Sequence, residues 1–302
     1  MPAETNLTNA AAMKKVREID FIQQFTHDSL NKLIEILGVT RKIPMQEGTT
    51  MYMYTMSGTL ESGAVTEGEV IPLTKITQTK TAVGEITLNK WRKAVSAEAI
   101  MKSGSNVAIA ETDTKLRKLV QAGVRSNLFT FLNGTITGAT SVTGADLQDA
   151  LAAAWGQLQV KFEDDDIQAV FIMNPLDIAD YLKTAQISTQ TAFGFTYVEN
   201  FLGLGTVILT AQVTKGKFYA TASQNIVAYY IDARGADGLG EAFDFTTDPE
   251  TGFVGVHEEG NYERLQSETV AIAGVDIFAE VVDGIIVGTI TPASEGGEGG
   301  GV

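Results

Sequence analysis

Four places in the sequence carry residue types that do chemistry in other proteins. Glu163-Asp164-Asp165-Asp166 is a run of four carboxylates. Hard cations such as Ca²⁺ take several oxygen ligands, and paired carboxylates also serve as general acid and base. The same run has the composition of a solvated connection between a helix and a strand, and that is its reading in this chain. Gly203-Leu204-Gly205 has the first two glycines of a phosphate-cradling turn. It lacks the third glycine and leads into an apolar strand rather than a helix, so the dinucleotide motif fails. His257 adjoins Glu258 and Glu259, an acid–base pairing with no nucleophile motif beside it; it reads as a polar cluster at a strand end. Trp91 lies between Lys90 and Arg92, an aromatic-plus-basic grouping able to stack on a nucleic-acid base. One aromatic of this kind in so acidic a chain reads instead as packing at the base of a hairpin. The chain has no cysteine, and His27 and His257 are its two histidines. Disulfides, thiolate ligands and histidine-rich metal centres are therefore excluded. No catalytic residue, metal or cofactor is assigned; a carboxylate-based hydrolase working through residues 163–166 stands as the enzyme-class alternative.

Composition narrows the partners. The apolar share of 44% over 302 residues is ample for a core in one large or two modest domains. No run of about 18 apolar residues exists to cross a membrane as a helix. The first 20 residues, MPAETNLTNAAAMKKVREID, lack the apolar centre of a signal peptide. The net charge of −15 is segregated. Residues 1–48 balance six basic against six acidic groups; residues 49–125 carry ten against seven; residues 126–302 carry six against 24. Such a chain does not grip nucleic acid by neutralising phosphates, which needs clustered Lys and Arg. Two readings of the segregation stay open: acidic solubility, or a basic middle segment of one copy lying across acidic surface of another, which sets register more than affinity.

The elements follow from periodicity and punctuation. The first 18 residues, polar and Ala-rich, read as a flexible arm. Leu30, Leu33, Ile34 and Leu37 predict a short amphipathic helix over 28–37, capped by Asp28 and stopped by Gly38. Residues 43–60 alternate as a strand. The stretch 61–89 holds few large apolar residues (Ile71, Leu73, Val83, Ile86, Leu88) and reads as a hairpin arm. An isolated two-stranded hairpin is marginal, so such an arm needs a partner. Residues 113–133 give the longest helical pattern, with Leu116, Leu119, Val120, Val124, Leu128, Phe131 and Leu132 as its stripe and Asn133-Gly134 as its end. Residues 134–144 read as a small flexible linker at a subdomain junction. A helix then begins with an approximate capping box at Thr143 to Asp146 and buries Leu147, Leu151, Trp155 and Leu158. Ile167 to Met173 is a buried strand, and Asn174-Pro175 starts a further helix. Strands are expected near 206–210, 217–221 and 225–231, and β patterning returns over 241–268 and 269–290, with Asp283-Gly284 as a hairpin turn. The tail ASEGGEGGGV has the composition of a disordered segment.

Residues 60–104 tie these elements to a family. They read LESGAVTEGEVIPLTKITQTKTAVGEITLNKWRKAVSAEAIMKSG: an acidic Glu67-Gly68-Glu69, then Ile71-Pro72, an alternating β-type run, the basic Lys90-Trp91-Arg92-Lys93, and Ser96-Ala97-Glu98. This resembles the extended loop of tailed-phage major capsid proteins of the Hong Kong 97 type. There an E-G-E-x-I-P-like turn starts a long hairpin arm, and the return strand ends near an S-x-E-like helix start. The resemblance covers about residues 20–290 in element order. It implies an α+β Hong Kong 97-like capsid fold with an N-terminal arm (1–45), an extended β-hairpin loop (46–95), a peripheral domain with a spine helix (96–140 and 241–292), an axial domain (141–240) and a flexible tail (293–302). It also implies function: self-assembly into pentamers and hexamers that build the icosahedral or prolate head shell of a tailed bacteriophage. The shell encloses double-stranded DNA without sequence-specific binding, and is built in the host bacterial cytoplasm. Glu67, Glu69, Lys75, Lys80 and Trp91 are the expected assembly-interface residues. Some family members join subunits through Lys–Asn isopeptide bonds; Lys75, Lys80 and Asn261 lie in the corresponding regions, but no motif supports the pairing, and non-covalent assembly is expected. Only about 40 residues precede the hairpin, so scaffolding is expected from a separate protein, with a portal as a further partner. An encapsulin-type nanocompartment shell is the alternative within the same fold.

Overall fold

The computed structural model describes residues 10–133, 136, 138–163, 167–184, 189–192, 195–234 and 243–291. Asp164 to Asp166 and the tail therefore lie outside the described residues, as do the side chains of Leu128, Phe131 and Leu132.

A continuous helical rod comes first: α1 (Ala10–Ile22), a π-helical stretch (Gln23–Leu30) and α2 (Asn31–Ile36). Phe21, Ile22, Phe25, Leu30, Leu33, Ile34 and Leu37 are buried along it. Gly38, at φ +64°, ends it where a Cβ would stand 2.7 Å from the Ser223 Cβ. Two expectations are corrected. The supposed flexible arm is helical from Ala10 onward, and Asp28 lies inside the rod rather than capping it. The apolar stripe continues back through Phe25, Ile22 and Phe21, and burial of that face outweighs the capping preference of Asp28.

The chain continues with β1 (Arg41–Pro44), β2 (Thr50–Gly58), β3 (Ile76–Glu85), β4 (Asn89–Ser96) and α3 (Ala97–Ser103). A π-helical turn (Asn106–Ala110) leads into α4 (Glu111–Asn133). Then come β5 (Thr140–Gly144), α5 (Leu147–Lys161), β6 (Ala169–Met173), α6 (Pro175–Thr184), β7 (Gln190–Ala192), β8 (Phe195–Phe201), β9 (Gly205–Leu209), β10 (Lys217–Ala222) and β11 (Ile226–Tyr230). The last are β12 (Thr246–Thr247), β13 (Val254–Asn261), β14 (Gln266–Ala273), β15 (Val275–Ala279) and β16 (Ile285–Ile290).

Among the described residues four sheets form: a seven-stranded sheet runs β5-β16-β10-β6-β9-β8-β7, a four-stranded one β12-β13-β14-β4, a three-stranded one β1-β11-β15, and β2 with β3 makes a two-stranded one. Leu147, Ala150, Leu151, Ala154 and Leu158 of α5 pack with Phe171, Met173, Ile178 and Phe218 to cover one side of the seven-stranded sheet. The helical rod and α4 share a larger core with Val170, Tyr197, Phe253, Val256 and Ile277.

Local chemistry sets several of these ends. The Ser96 hydroxyl accepts from Ala99 N and starts α3. Asn174 Oδ1 accepts from Leu176 N, and Pro175 takes the first helical position of α6. Asp146, not Thr143, caps α5. Its carboxylate accepts from Asp149 N at 2.8 Å, while the Asp149 carboxylate accepts from Ala145 N at 2.9 Å. The helix start is thus three residues later than expected, because Thr140–Gly144 forms β5, and the returning bond goes to Ala145 N and not to the cap's own N–H as in a capping box.

Long-range pairing makes the remaining corrections. The expected linker over 134–144 contains β5, a parallel partner of β16. Asp283-Gly284 lies in a 3₁₀ turn, but β15 and β16 belong to different sheets, so it is a sheet-to-sheet crossing and not a hairpin. Leu119 is 52% exposed although Val120 is fully buried. At 100° per residue, the buried side of α4 runs through Leu116, Val120 and Val124 toward Gln121, which leaves Leu119 on the outer flank. Trp155 is likewise 37% exposed, its place on the sheet taken by Ala150 and Ala154, which let α5 approach closely.

Candidate assembly surfaces

The β2–β3 ribbon has two different halves. Its root is fastened: Met51, Met53 and Ile86 are buried against Val227, Tyr229, Phe278 and Val282. Tyr54 N donates to Glu280 O at 2.7 Å, and Gly48 N to Ile86 O at 2.9 Å. The ladder then runs from Thr50 opposite Glu85 to Gly58 opposite Ile76. Beyond it, residues 59–75 form an exposed loop in which Leu60, Val70, Ile71 and Leu73 point to solvent, Leu73 with 92% of its surface. A soluble chain gains nothing by exposing four large aliphatic side chains on one loop unless another surface covers them.

Glu67 and Glu69 frame a turn in that loop. Gly68 sits at φ +91°, Glu69 N donates to Thr66 O at 3.0 Å, and Thr66 N donates to the Glu69 carboxylate at 3.1 Å. The turn lies between the two strands, at the ribbon's outer end, and not at the arm's start as the sequence suggested. Lys75 closes the loop and is exposed. Lys80 is exposed on β3, with its ammonium 4.6 Å from the centre of the Tyr52 ring. These four charged residues share one ribbon. Trp91 does not join them. It is half-buried on β4 and faces α4, where a Cβ at Gly123 would be 3.3 Å from its ring. Asn261 turns toward its own sheet: its amide donates to Glu268 Oε1 at 3.0 Å, and its carbonyl oxygen accepts from Glu263 N and Arg264 N.

The motifs with catalytic overtones resolve into packing and turns. Gly203, at φ +74°, closes the β8–β9 turn, and a Cβ on Gly205 would stand 2.1 Å from Ala169 O. Glycine is there for close strand approach. His257 Nδ1 lies 2.7 Å from Asp244 O and therefore carries the proton that it donates there. Among the described residues no group of three His, Asp or Glu is arranged to hold a metal ion. A recess of about 700 Å³ between α2 and the β8–β9 turn is lined by Lys32, Glu35, Gln168, Tyr197 and Asn200. Tyr197 donates to Gln190 Oε1 there, and burial raises its phenol above the ordinary value.

Sequence reading missed the ion-pair network that joins α1, α4, β4 and β13. One guanidinium nitrogen of Arg17 lies 2.9 Å from Asp113 and 2.8 Å from Glu258, and Lys93 Nζ lies 2.6 Å from Asp113. Glu18, almost wholly buried, accepts from Glu258 N at 2.7 Å and from the Thr246 hydroxyl. Thr269 donates to Asp113 at 3.2 Å. Nearby, Arg92 holds Glu268 through two nitrogens at 2.6 and 2.9 Å, which keeps that carboxyl below its ordinary value. Arg17 and Glu258 are 241 positions apart in the chain, and no local pattern announces such a pairing.

Solved structures with this arrangement include the capsid asymmetric unit of Cyanophage A-1(L), at TM-score 0.52 and 12% identity over 95% of this chain and 100% of that one. The capsid of Cyanophage P-SCSP1u matches at 0.51 and 9% identity over 86% and 88%. The capsid of an empty GTA particle matches at 0.51 and 12% identity over 89% and 91%. No protein-family model and no curated protein matches the sequence. The mixed helix-and-sheet fold of this chain is the fold of these capsid subunits.

Proposed function

We propose that the chain is a major capsid protein, the self-assembling subunit of the head shell of a tailed bacteriophage. The observation that carries this reading is the β2–β3 ribbon. It is rooted in the body through Met51, Met53 and Ile86, and it ends in a loop whose aliphatic side chains are exposed among the described residues. The likeness to capsid subunits extends over 95% of the chain. In this reading the loop with Glu67, Glu69 and Lys75 lies on a neighbouring subunit, and Lys80 steadies the ribbon against Tyr52. Trp91 contributes indirectly by holding β4 to α4. The expected peripheral domain (96–140 and 241–292) and axial domain (141–240) are kept in this reading, except that β16 joins the axial part through its pairing with β5 and β10, and β11 leaves it to pair with β1 and β15. Pentamers and hexamers close a shell that confines double-stranded DNA sterically, consistent with a net charge of −15. Scaffolding and portal proteins are the expected helpers during assembly in the host cytoplasm, and the finished shell is part of the virion.

The test is to replace residues 61–74 by a two-residue Asn-Gly turn and compare the variant with the native chain by electron microscopy and sedimentation. The expected result is closed shells from the native chain, and from the variant a soluble subunit with native circular dichroism and no shells. Normal shells from the variant would remove the ribbon from the assembly mechanism. Shells that contain a protein cargo and no DNA in the producing cell would favour a nanocompartment over a phage head.

A further inference from the structure

Among the described side chains, the charged groups at the junction of α1 with β13 do not balance. Arg17 and Lys93 bring two positive charges, while Glu18, Asp113 and Glu258 bring three negative ones. The carboxylates and Lys93 are largely buried, with Glu18 and Glu258 side chains each 4% exposed, Lys93 13% and Asp113 15%, while Arg17 reaches them from the rim at 35%. Glu258 Oε1 takes the Arg17 guanidinium, but Glu258 Oε2 is buried without a hydrogen-bond partner among the described residues. A buried carboxylate oxygen with no donor is the place in such a cluster where ionisation is least supported.

We propose that this cluster is a proton-operated clasp on the N-terminal helix. It is closed and neutral when Glu258 holds a proton, and opposed by one surplus buried negative charge when it does not, so that α1 loosens from β13 as the pH rises.

Every element around the carboxyl contributes. Arg17 and Glu18 face it from α1, Asp113 from α4 and Lys93 from β4. Thr269 of β14 holds Asp113, and His257 and Glu259 flank it on its own strand. Burial pushes Glu258 up to about 7 from 4.5; Arg17 pulls it down, and Asp113 and Glu18 push it further up. The sign follows by linkage. The docked state binds the proton more tightly than an opened state in which the carboxyl is wet, so docking takes up a proton. Docking is strongest below the ordinary carboxylate value, weakens as pH climbs toward about 7, and is flat above it. His257 Nδ1 lies 3.8 Å from Glu18, and a change at Glu258 alone separates the carboxyl from the imidazole.

Hydrogen exchange on the full chain reads the opening even when it is rare. The measure is the protection of α1 amides relative to the unstructured rate at the same pH, with β6 amides as the internal reference. The expected result is a fall of about tenfold in α1 protection between pH 6 and pH 8, with β6 unchanged. Glu258→Gln, which mimics the protonated group, should keep α1 protection constant between pH 6 and pH 8, at or above the wild-type pH 6 level, and His257→Gln should keep most of the fall. The proposal is overturned if α1 protection follows β6 across this range, or if Glu258→Gln retains the tenfold fall. Should Glu258→Gln fail to fold, the wild-type contrast between α1 and β6 decides by itself.

Discussion

The β2–β3 ribbon and the seven-stranded sheet are built from the same kind of strand and stand at opposite extremes of burial. In β6 all five residues are buried, between β10 on one side and β9 on the other, with α5 over one face. In β3 nine of ten residues are exposed, and the strand has a partner on one edge only. Backbone pairing is complete on both edges of β6 and on one edge of β3. The difference is in apolar area removed from water, which stabilises by about 25 cal/mol per Å². The sheet therefore holds itself together within one chain, while the outer ribbon draws little stability from its own chain and has most to gain from a neighbour.

The contrast can be broken from either side. The largest effect is expected inside the body. Val120→Asp places a carboxylate at a fully buried position of α4, and we expect insoluble or unfolded protein by circular dichroism. The adjacent Leu119→Asp, on the exposed flank, should leave the subunit folded; if the two variants behave alike, the assigned face of α4 is wrong. Next comes Phe171→Ala, which opens a cavity between the seven-stranded sheet and α5. Urea unfolding of the subunit should show a loss of about 3–5 kcal/mol. The matching change on the ribbon, Leu73→Ala, should alter subunit stability by no more than about 0.5 kcal/mol, yet raise the concentration at which shells form. A loss at Leu73 comparable to that at Phe171 would mean that the loop is packed within its own chain.

The smallest effect is electrostatic. Lys75→Glu with Lys80→Glu reverses two exposed charges on the ribbon, each worth at most about 1 kcal/mol in a pair. Repetition around a closed shell makes even this visible as a higher threshold concentration by light scattering. Added salt should weaken native assembly in the same direction, since screening acts within about 8 Å at 0.15 M. Lys80 also sits over Tyr52, so Lys75→Glu alone separates the contact with a neighbour from the ribbon's own cation–π pair. If neither reversal nor salt moves the threshold, the charge segregation is a matter of solubility.

What the sequence determined by itself is what is encoded over a few residues. Ser96 and Asn174-Pro175 announce helix starts because cap and proline chemistry is local. The strands at 205–209, 217–222 and 226–230 show as apolar runs between turns, and the ribbon shows as a β-type stretch too poor in large apolar residues to stand alone. Element order was legible on that basis, and the resemblance of residues 60–104 to a capsid loop implied the fold. Tertiary structure alone decided everything that depends on distant partners. Thr140–Gly144 looked like a linker and became a strand because β16 offers it an edge. Trp155 yielded its place to Ala150 and Ala154 because α5 needs small residues to approach the sheet. Leu119 and Val120 differ by one helical step, and only the position of the core says which is inside. The ion-pair cluster of Arg17, Lys93, Asp113 and Glu258 draws on four separate elements, so neither its existence nor its charge imbalance has any local signature. A side chain's energy depends on what surrounds it, and for those residues the surroundings come from elsewhere in the chain.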